Sequence, residues 1–303
     1  MRFAVEAWAP EYGAPTDGEL ADSPATVDAA VERPPAGWAP IAGRAPPAGP
    51  ITILFTDGVR RIDARVWIEP APGAARLGIC ASYSAGAVCC DGRAKIVAAE
   101  VQRGLFTAAP GAEEVASKHA AYPVRAAAGD TVEQLWLALQ QRMGELEVAL
   151  ASAHEADLVV VDGPLSGRQN VPGAVGFVKS HHVSYLEPSL EEVVARLEPG
   201  ERTPLFLTTS SWSRYSWYLR LPGASGHPWA GIVRCEAAAD ADVAAVRILA
   251  DAVAVHVPRF ASAGHKDPRA PQNLYPIAGL ERELRRRLGD PLLLYRGLRA
   301  AAA

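Results

Sequence analysis

Two aspartates stand in nearly the same local setting. Asp57 closes the apolar run ITILFTDG and Asp162 closes DLVVVDG, each followed by glycine. An aspartate that ends an apolar strand lies at a sheet edge, where a desolvated carboxylate needs a cation, a hydrogen bond or a proton. Two of them on adjacent strands would repel unless a metal sat between, and oxygen ligands of this kind suit Mg²⁺ or Mn²⁺. In two-metal sites such ions orient water and stabilise the leaving oxygen of a phosphodiester. The plainer alternative is that each aspartate shapes a turn, because Asp-Gly is a common turn dipeptide.

A third ligand can be sought on the helix predicted over TVEQLWLALQQRMGELEVALASAH. There Leu135, Trp136, Leu139, Met143, Leu146 and Leu150 form a stripe of period 3.6. Glu147 borders that stripe, whereas Glu145 faces water; Glu147 is either a ligand reaching the edge of Asp57 and Asp162 or a solubilising charge. Lys179, in VGFVKSHHV, is the only lysine between residues 119 and 265. It reads as a phosphate contact, a tether for a carboxylate or a surface charge. His181 and His182 are adjacent, so a strand sends them to opposite faces and makes them poor joint ligands. SSWSRYSWYLRL interleaves aromatic and basic residues, as a single-strand binding surface does, but strand alternation sends Trp217, Leu219 and Leu221 inward as ordinary core. The loop GPLSGRQNVPG lacks the GKS/T of a phosphate-binding loop, so the chain is not read as an ATPase.

These residues must be held by a mixed α/β scaffold. Apolar runs from Ile51 onward predict a meander of strands with turns at VRR, PAPGA and CDGR. DLVVVDG after the long helix reads as a buried parallel strand, and further strands are predicted at AVGFVK, TPLFLTT, SWYLRL and WAGIVRCE. Helices are predicted at 189–197, 241–255 and 277–288, and the whole as a mixed sheet flanked by helices. Residues 1–49, rich in Pro, Gly and Ala, read as an acidic extended arm ordered by Trp8, Tyr12 and Trp38, or as a segment folded back on the domain formed by 50–303. The 303 residues, 49% hydrophobic and 21% charged, exclude a disordered or collagenous chain. No apolar run is long enough to span a bilayer, and the N-terminus carries an acid where a signal peptide is apolar, so a cytoplasmic protein is expected. Cys80, Cys89, Cys90 and Cys235 show no ligand spacing and read as small core residues. Residues 1–50 hold three basic against seven acidic side chains and residues 255–303 nine against four. The basic end, with Arg282, Arg285, Arg286 and Arg287, is either a phosphate-binding face or a solvated helix flank.

The succession ILFTDGVRRIDARV, a helix with glutamates, DLVVVDGPLSG, GFVKS, WYLRL, IVRCE and NLYPIAGLE resembles the NurA nuclease family over most of the chain. The resemblance implies a ribonuclease-H-like fold, Mn²⁺-dependent DNA end resection, a homodimer and partnership with a HerA-type hexameric translocase. It makes Asp57, Glu147 and Asp162 the metal ligands, matches Lys179 to the family's strand lysine and Tyr275 to its C-terminal tyrosine. The histidine usual downstream of that tyrosine is absent, and LERELRRRLGD stands in its place. The expected function is therefore a metal-dependent (Mn²⁺ or Mg²⁺) deoxyribonuclease. Its rivals are a non-catalytic relative that binds DNA or a translocase, and a phosphatase or nucleotide hydrolase using the same carboxylates.

Overall fold

The computed structural model describes residues 21–22, 25–44, 51–69, 75–181, 183–224 and 226–302. They form two compact units: unit 1 within residues 1–55, 90–93 and 156–278, and unit 2 within 56–89, 94–155 and 279–303. The sequence suggested one domain from residue 50 onward. The division instead falls inside a strand, between Phe55 and Thr56, where no change of composition marks it.

The strands of three or more residues are β1 (Thr26–Asp28), β2 (Ile53–Ile68), β3 (Arg76–Cys90), β4 (Ala94–Thr107), β5 (Val124–Ala126), β6 (Leu158–Asp162), β7 (Ala174–Val178), β8 (Phe206–Thr209), β9 (Ser213–Arg220) and β10 (Ile232–Ala238). The helices are α1 (Val132–Ser152), α2 (Pro188–Ala195), α3 (Val243–His256), α4 (Tyr275–Arg287) and α5 (Pro291–Ala301). The result is a mixed α/β architecture. No helix among the described residues is long and apolar enough to cross a membrane.

Unit 2 orders its strands β2-β3-β4-β5. β3 is built largely from small residues, which lets helices approach both its faces. On one face Ala81, Tyr83 and Ala85 meet the α1 stripe of Leu135, Leu139, Met143, Leu146 and Leu150. On the other, a Cβ at Gly86 would come within 3.0 Å of Leu280 and 3.1 Å of Leu284, so α4 packs there only because that side chain is missing. α1 starts where the sequence places it, with a capping box between Thr131 and Gln134. Just past the end of α4, Gly289 stands at φ +81°, and the carbonyls of Leu288 and Gly289 accept from Arg61 and Arg103. α5 was not foreseen, because the Gly-Asp-Pro that stops α4 also starts α5: Asp290 accepts the Leu293 N–H at 2.9 Å, with Pro291 at the first position.

The expected turn at VRR is absent. β2 runs unbroken from Ile53 to Ile68, so Asp57 lies inside a strand and does not end one. Gly58 is extended, with no positive φ, and nothing at this dipeptide turns the chain. The turn predicted at CDGR is present between β3 and β4, with Gly92 at φ +105°; PAPGA lies outside the described residues.

Unit 1 orders its strands β1-β8-β9-β10-β7-β6, with the first residues of β2 beside β6. β6 and β7 are parallel, while β7-β10, β10-β9, β9-β8 and β8-β1 are antiparallel. The Leu158–Val161 run is fully buried, as a parallel strand covered on both faces requires. α2 lays Leu190, Val193 and Val194 on Phe206, Tyr218 and Ile232.

The described part of segment 1–49 folds back on this unit. Trp38 joins the α2 cluster and donates its Nε1–H to Ala29 O, and Glu32 takes both Arg202 Nη atoms at 2.9 and 3.0 Å. Trp8 and Tyr12 lie outside the described residues. All four cysteines are free, and Cys80, Cys90 and Cys235 are buried, as expected of small core residues.

Candidate functional site

The candidate residues gather at two places, one in each unit. In unit 2 they flank the Asp57-Gly58 peptide. A Cβ there would lie 2.1 Å from Glu147 Oε1 and 3.0 Å from Met143 Cγ, so the α1 carboxylate rests directly on the glycine backbone. On the other side of the same peptide, the Gly58 N–H donates to Asp57 Oδ1 at 2.7 Å. Asp57 and Gly58 are consecutive in β2, so the Asp57 side chain and the Glu147 carboxylate lie on opposite faces of the strand.

Both are buried, Glu147 at 3% and Asp57 at 9% exposure. Burial lowers the pKa of Arg60, opposed by the charge of Glu147, and its guanidinium lies over the Trp136 ring of α1 at 5.1 Å. Glu145 points to water and pairs with Arg142 at 2.8 Å. The helical phase that distinguished 147 from 145 in the sequence is the phase observed.

In unit 1, Asp162 ends β6 as predicted, and Gly163 turns the chain at φ +96°. The loop that follows folds back over β7 because Gly176 has no side chain; a Cβ there would meet Leu165 N at 2.7 Å. Beneath this loop lies a cavity of about 380 Å³ with Asp162, Lys179, Ser180, Tyr185 and Arg234 in its wall. Lys179 Nζ donates to Asp162 at 2.7 Å and to Asn273 Oδ1 at 3.0 Å. Asn273, wholly buried, passes its own amide N–H to Asp267 at 2.6 Å. Of the readings held for Lys179, the tether to a carboxylate is the one the geometry realises.

A second network supports the same wall. Glu236 Oε1 accepts from Arg234 at 2.8 Å and from Arg214 at 3.1 Å, while its Oε2 accepts the Leu165 N–H at 3.0 Å. Burial disfavours the Arg234 charge, but Glu236, Tyr185 and Tyr218 outweigh it and hold the pKa above the ordinary value. The Arg234 guanidinium also lies over the Tyr185 ring at 4.5 Å. Arg234 and Glu236 were passed over in the sequence, although charges two apart in IVRCE share one strand face and signal a buried pair. Asn273 opens NLYPIAGLE, two places before Tyr275, and nothing local marks it as a buried hydrogen-bonding group.

Tyr275 is outside the cavity wall. It starts α4, is 40% exposed, accepts the Ala263 N–H at 3.2 Å and carries Lys266 5.5 Å from its ring centre. Trp217, Leu219 and Leu221 are fully buried, so this end of the aromatic-basic stretch is core, whereas Trp212 at its start is half-buried with the Arg214 guanidinium 5.2 Å from its ring centre. His181 contacts Ile232 O at 3.0 Å and packs against Trp229, and His182 lies outside the described residues. The α4 arginines are engaged by their own helix: Arg285 pairs with Glu281, and Arg286 and Arg287 with Glu283. Among the described residues, no group of three or more His, Cys, Asp or Glu side chains is arranged to hold a metal ion.

The sequence matches no protein-family model and no curated protein.

Proposed function

We propose that the chain is a metal-dependent nuclease that hydrolyses DNA phosphodiesters, with the ribonuclease-H-like fold and the NurA-type role in end resection that the sequence resemblance implies. The observation that supports this reading is the burial of two acids, Asp57 within β2 and Glu147 of α1 against the next residue, Gly58, with the Arg60 charge acting on Glu147. A buried carboxylate needs a cation, a hydrogen bond or a proton.

The donor type suits a divalent ion, although the two carboxylates lie on opposite faces of β2. Both ligands are hard oxygens, and Mg²⁺ or Mn²⁺ sites are commonly built from one or two carboxylates completed by water. A bound Mn²⁺ or Mg²⁺ supplies an acidified water and charge stabilisation at the phosphorus. Asp57 or Glu147 would hold it, each from its own face of β2; Gly58 leaves room for the Glu147 carboxylate, and Arg60 offsets the Glu147 charge. The resemblance adds Asp162 as a further ligand; within its own unit that carboxylate is engaged by Lys179. The same engagement, with the absent histidine, favours the second reading: a non-catalytic relative that binds DNA or a HerA-type translocase.

The test is Mn²⁺-dependent cleavage of labelled single-stranded DNA by wild type, Asp57→Asn, Glu147→Gln, Asp162→Asn and Glu145→Gln, each checked for folding by circular dichroism. Asp57→Asn and Glu147→Gln should each lose about 100-fold or more, and Glu145→Gln should not change. Wild-type activity in both Asp57→Asn and Glu147→Gln would refute the mechanism. No cleavage by wild type at any Mn²⁺ or Mg²⁺ concentration, with DNA binding intact, would favour the non-catalytic reading. A preference for small phosphate esters over DNA would make the chain a phosphatase.

A further inference from the structure

The cavity of unit 1 has a charge arrangement that the metal reading leaves unused. Arg234 and Val178 are directly opposite across β10 and β7, so both face the cavity side of the sheet, and Lys179 follows immediately. Behind them Arg214 shares the single carboxylate of Glu236 with Arg234. Counting Lys179, Arg214 and Arg234 against Asp162 and Glu236, the cluster carries one excess positive charge. Its members are deeply placed: the side chains of Lys179, Arg214 and Arg234 are 8, 8 and 11% exposed.

The two cations on the wall are also fixed in place. Asn273 and Asp162 hold Lys179 while using two of its three N–H donors, and Glu236 with the Tyr185 ring holds Arg234. Rigid, desolvated donors of this type bind an anion with little further ordering cost. About 380 Å³ also accommodates a nucleotide-sized group and is larger than a single small ion needs.

We infer that this cavity binds the terminal phosphate of a nucleic-acid strand, with Lys179 and Arg234 as its donors and Ser180 and Tyr185 in the same wall. The choice of a nucleic-acid strand rests on the nuclease reading; the phosphate chemistry rests on the cavity alone.

The test separates the two by measuring binding in EDTA, with no metal present. Full-length protein is titrated by fluorescence anisotropy with a short single strand bearing either a 5′-phosphate, a 3′-phosphate or only hydroxyl ends, with inorganic phosphate and a mononucleotide as competitors. One phosphorylated strand should bind about tenfold or more tightly than the hydroxyl strand, the worth of a charge-assisted hydrogen bond, and inorganic phosphate should erase the difference. Lys179→Met should abolish the preference, and Arg234→Lys, which keeps the charge and loses the fork, should reduce it. Asp57→Asn, in the other unit, should keep it. Equal binding of all three strands would overturn the inference, as would a preference surviving in folded Lys179→Met and Arg234→Lys proteins. Competition by the mononucleotide as strong as by the strand would move the ligand from a strand end to a free nucleotide and overturn the strand assignment. Loss of cleavage in Asp57→Asn bears only on the metal site.

Discussion

Asp57-Gly58 and Asp162-Gly163 are the same dipeptide after the same kind of apolar run, and the two units use it for opposite purposes. Gly163 is a conformational glycine: it turns the chain at φ +96°, and a Cβ there would meet nothing within 4 Å. Gly58 is a steric glycine: its backbone is extended, and the missing Cβ is the space that Glu147 occupies. The carboxylates differ accordingly. Asp57 is buried inside a strand, whereas Asp162 is at a strand end and holds a lysine. A dipeptide fixes neither outcome; what packs on it does.

The comparison is broken most directly at Gly58. Gly58→Ala must displace a buried Glu147 and crowd Met143, an overpacking that should cost about 2–3 kcal/mol in urea unfolding and, on the nuclease reading, most of the Mn²⁺-dependent rate. A variant as stable and as active as wild type would show that Glu147 relaxes away freely. Next comes Lys179→Met, which strands Asp162 beside a buried Asn273. Since Asp162 is 22% exposed and water can reach it, the loss should be about 2 kcal/mol, below that of a fully buried pair. Adding Asp162→Asn should recover part of it, and a cycle with no coupling would mean the 2.7 Å contact contributes nothing. Gly163→Ala should cost less, about 1 kcal/mol, because only the left-handed backbone is penalised.

A smaller, pH-dependent effect belongs to Glu32. Burial alone would raise its pKa, but the hydrogen bonds from Arg202 and the Leu205 N–H outweigh this and lower it from the ordinary 4.5. A carboxylate depressed in the folded state stabilises it above the unfolded value, and that contribution disappears as the pH falls through the folded value. Stability of the wild type should therefore fall more steeply below pH 4.5 than that of Glu32→Gln, which is the less stable of the two near neutral pH. Parallel curves would place the acid sensitivity elsewhere.

Glu32 also shows where the sequence was hard to read. It lies in a Pro- and Ala-rich stretch with no periodic face, and what anchors that stretch is a bidentate contact to an arginine 170 residues away. Local pattern contains no trace of such a pairing. The α1 stripe was legible because helical periodicity is local, and so was the choice of Glu147 over Glu145. The parallel strand at β6 was legible because an uninterrupted valine run admits few other readings. The cavity was not: Arg234, Glu236, Lys179 and Asn273 come from three segments, and only their strand register and the gap at Gly176 bring them together.

The last contrast is between two groups of cations. Lys179 and Arg234 are held inside a cavity with donors to spare, whereas Arg285, Arg286 and Arg287 sit on the surface of α4, each paired three or four residues away with a glutamate of its own helix. Glu283 carries two of these contacts, and the hydrogen bonds from Arg286 and Arg287 lower its pKa to about 2. Such pairs are largely screened in water and already spend their charge locally. A phosphate competing for these arginines must displace Glu281 and Glu283, so the helix offers a strand little net attraction. Replacing all three with glutamine should leave the slope of log affinity against log salt for single-stranded DNA nearly unchanged, where three true phosphate contacts would lower it by about 0.7 each. The opposite substitution sharpens the contrast: Glu283→Gln frees two guanidinium groups and should steepen the slope. A slope that falls by about two in the triple variant would make α4 the DNA-binding face and the glutamates mere spectators of it.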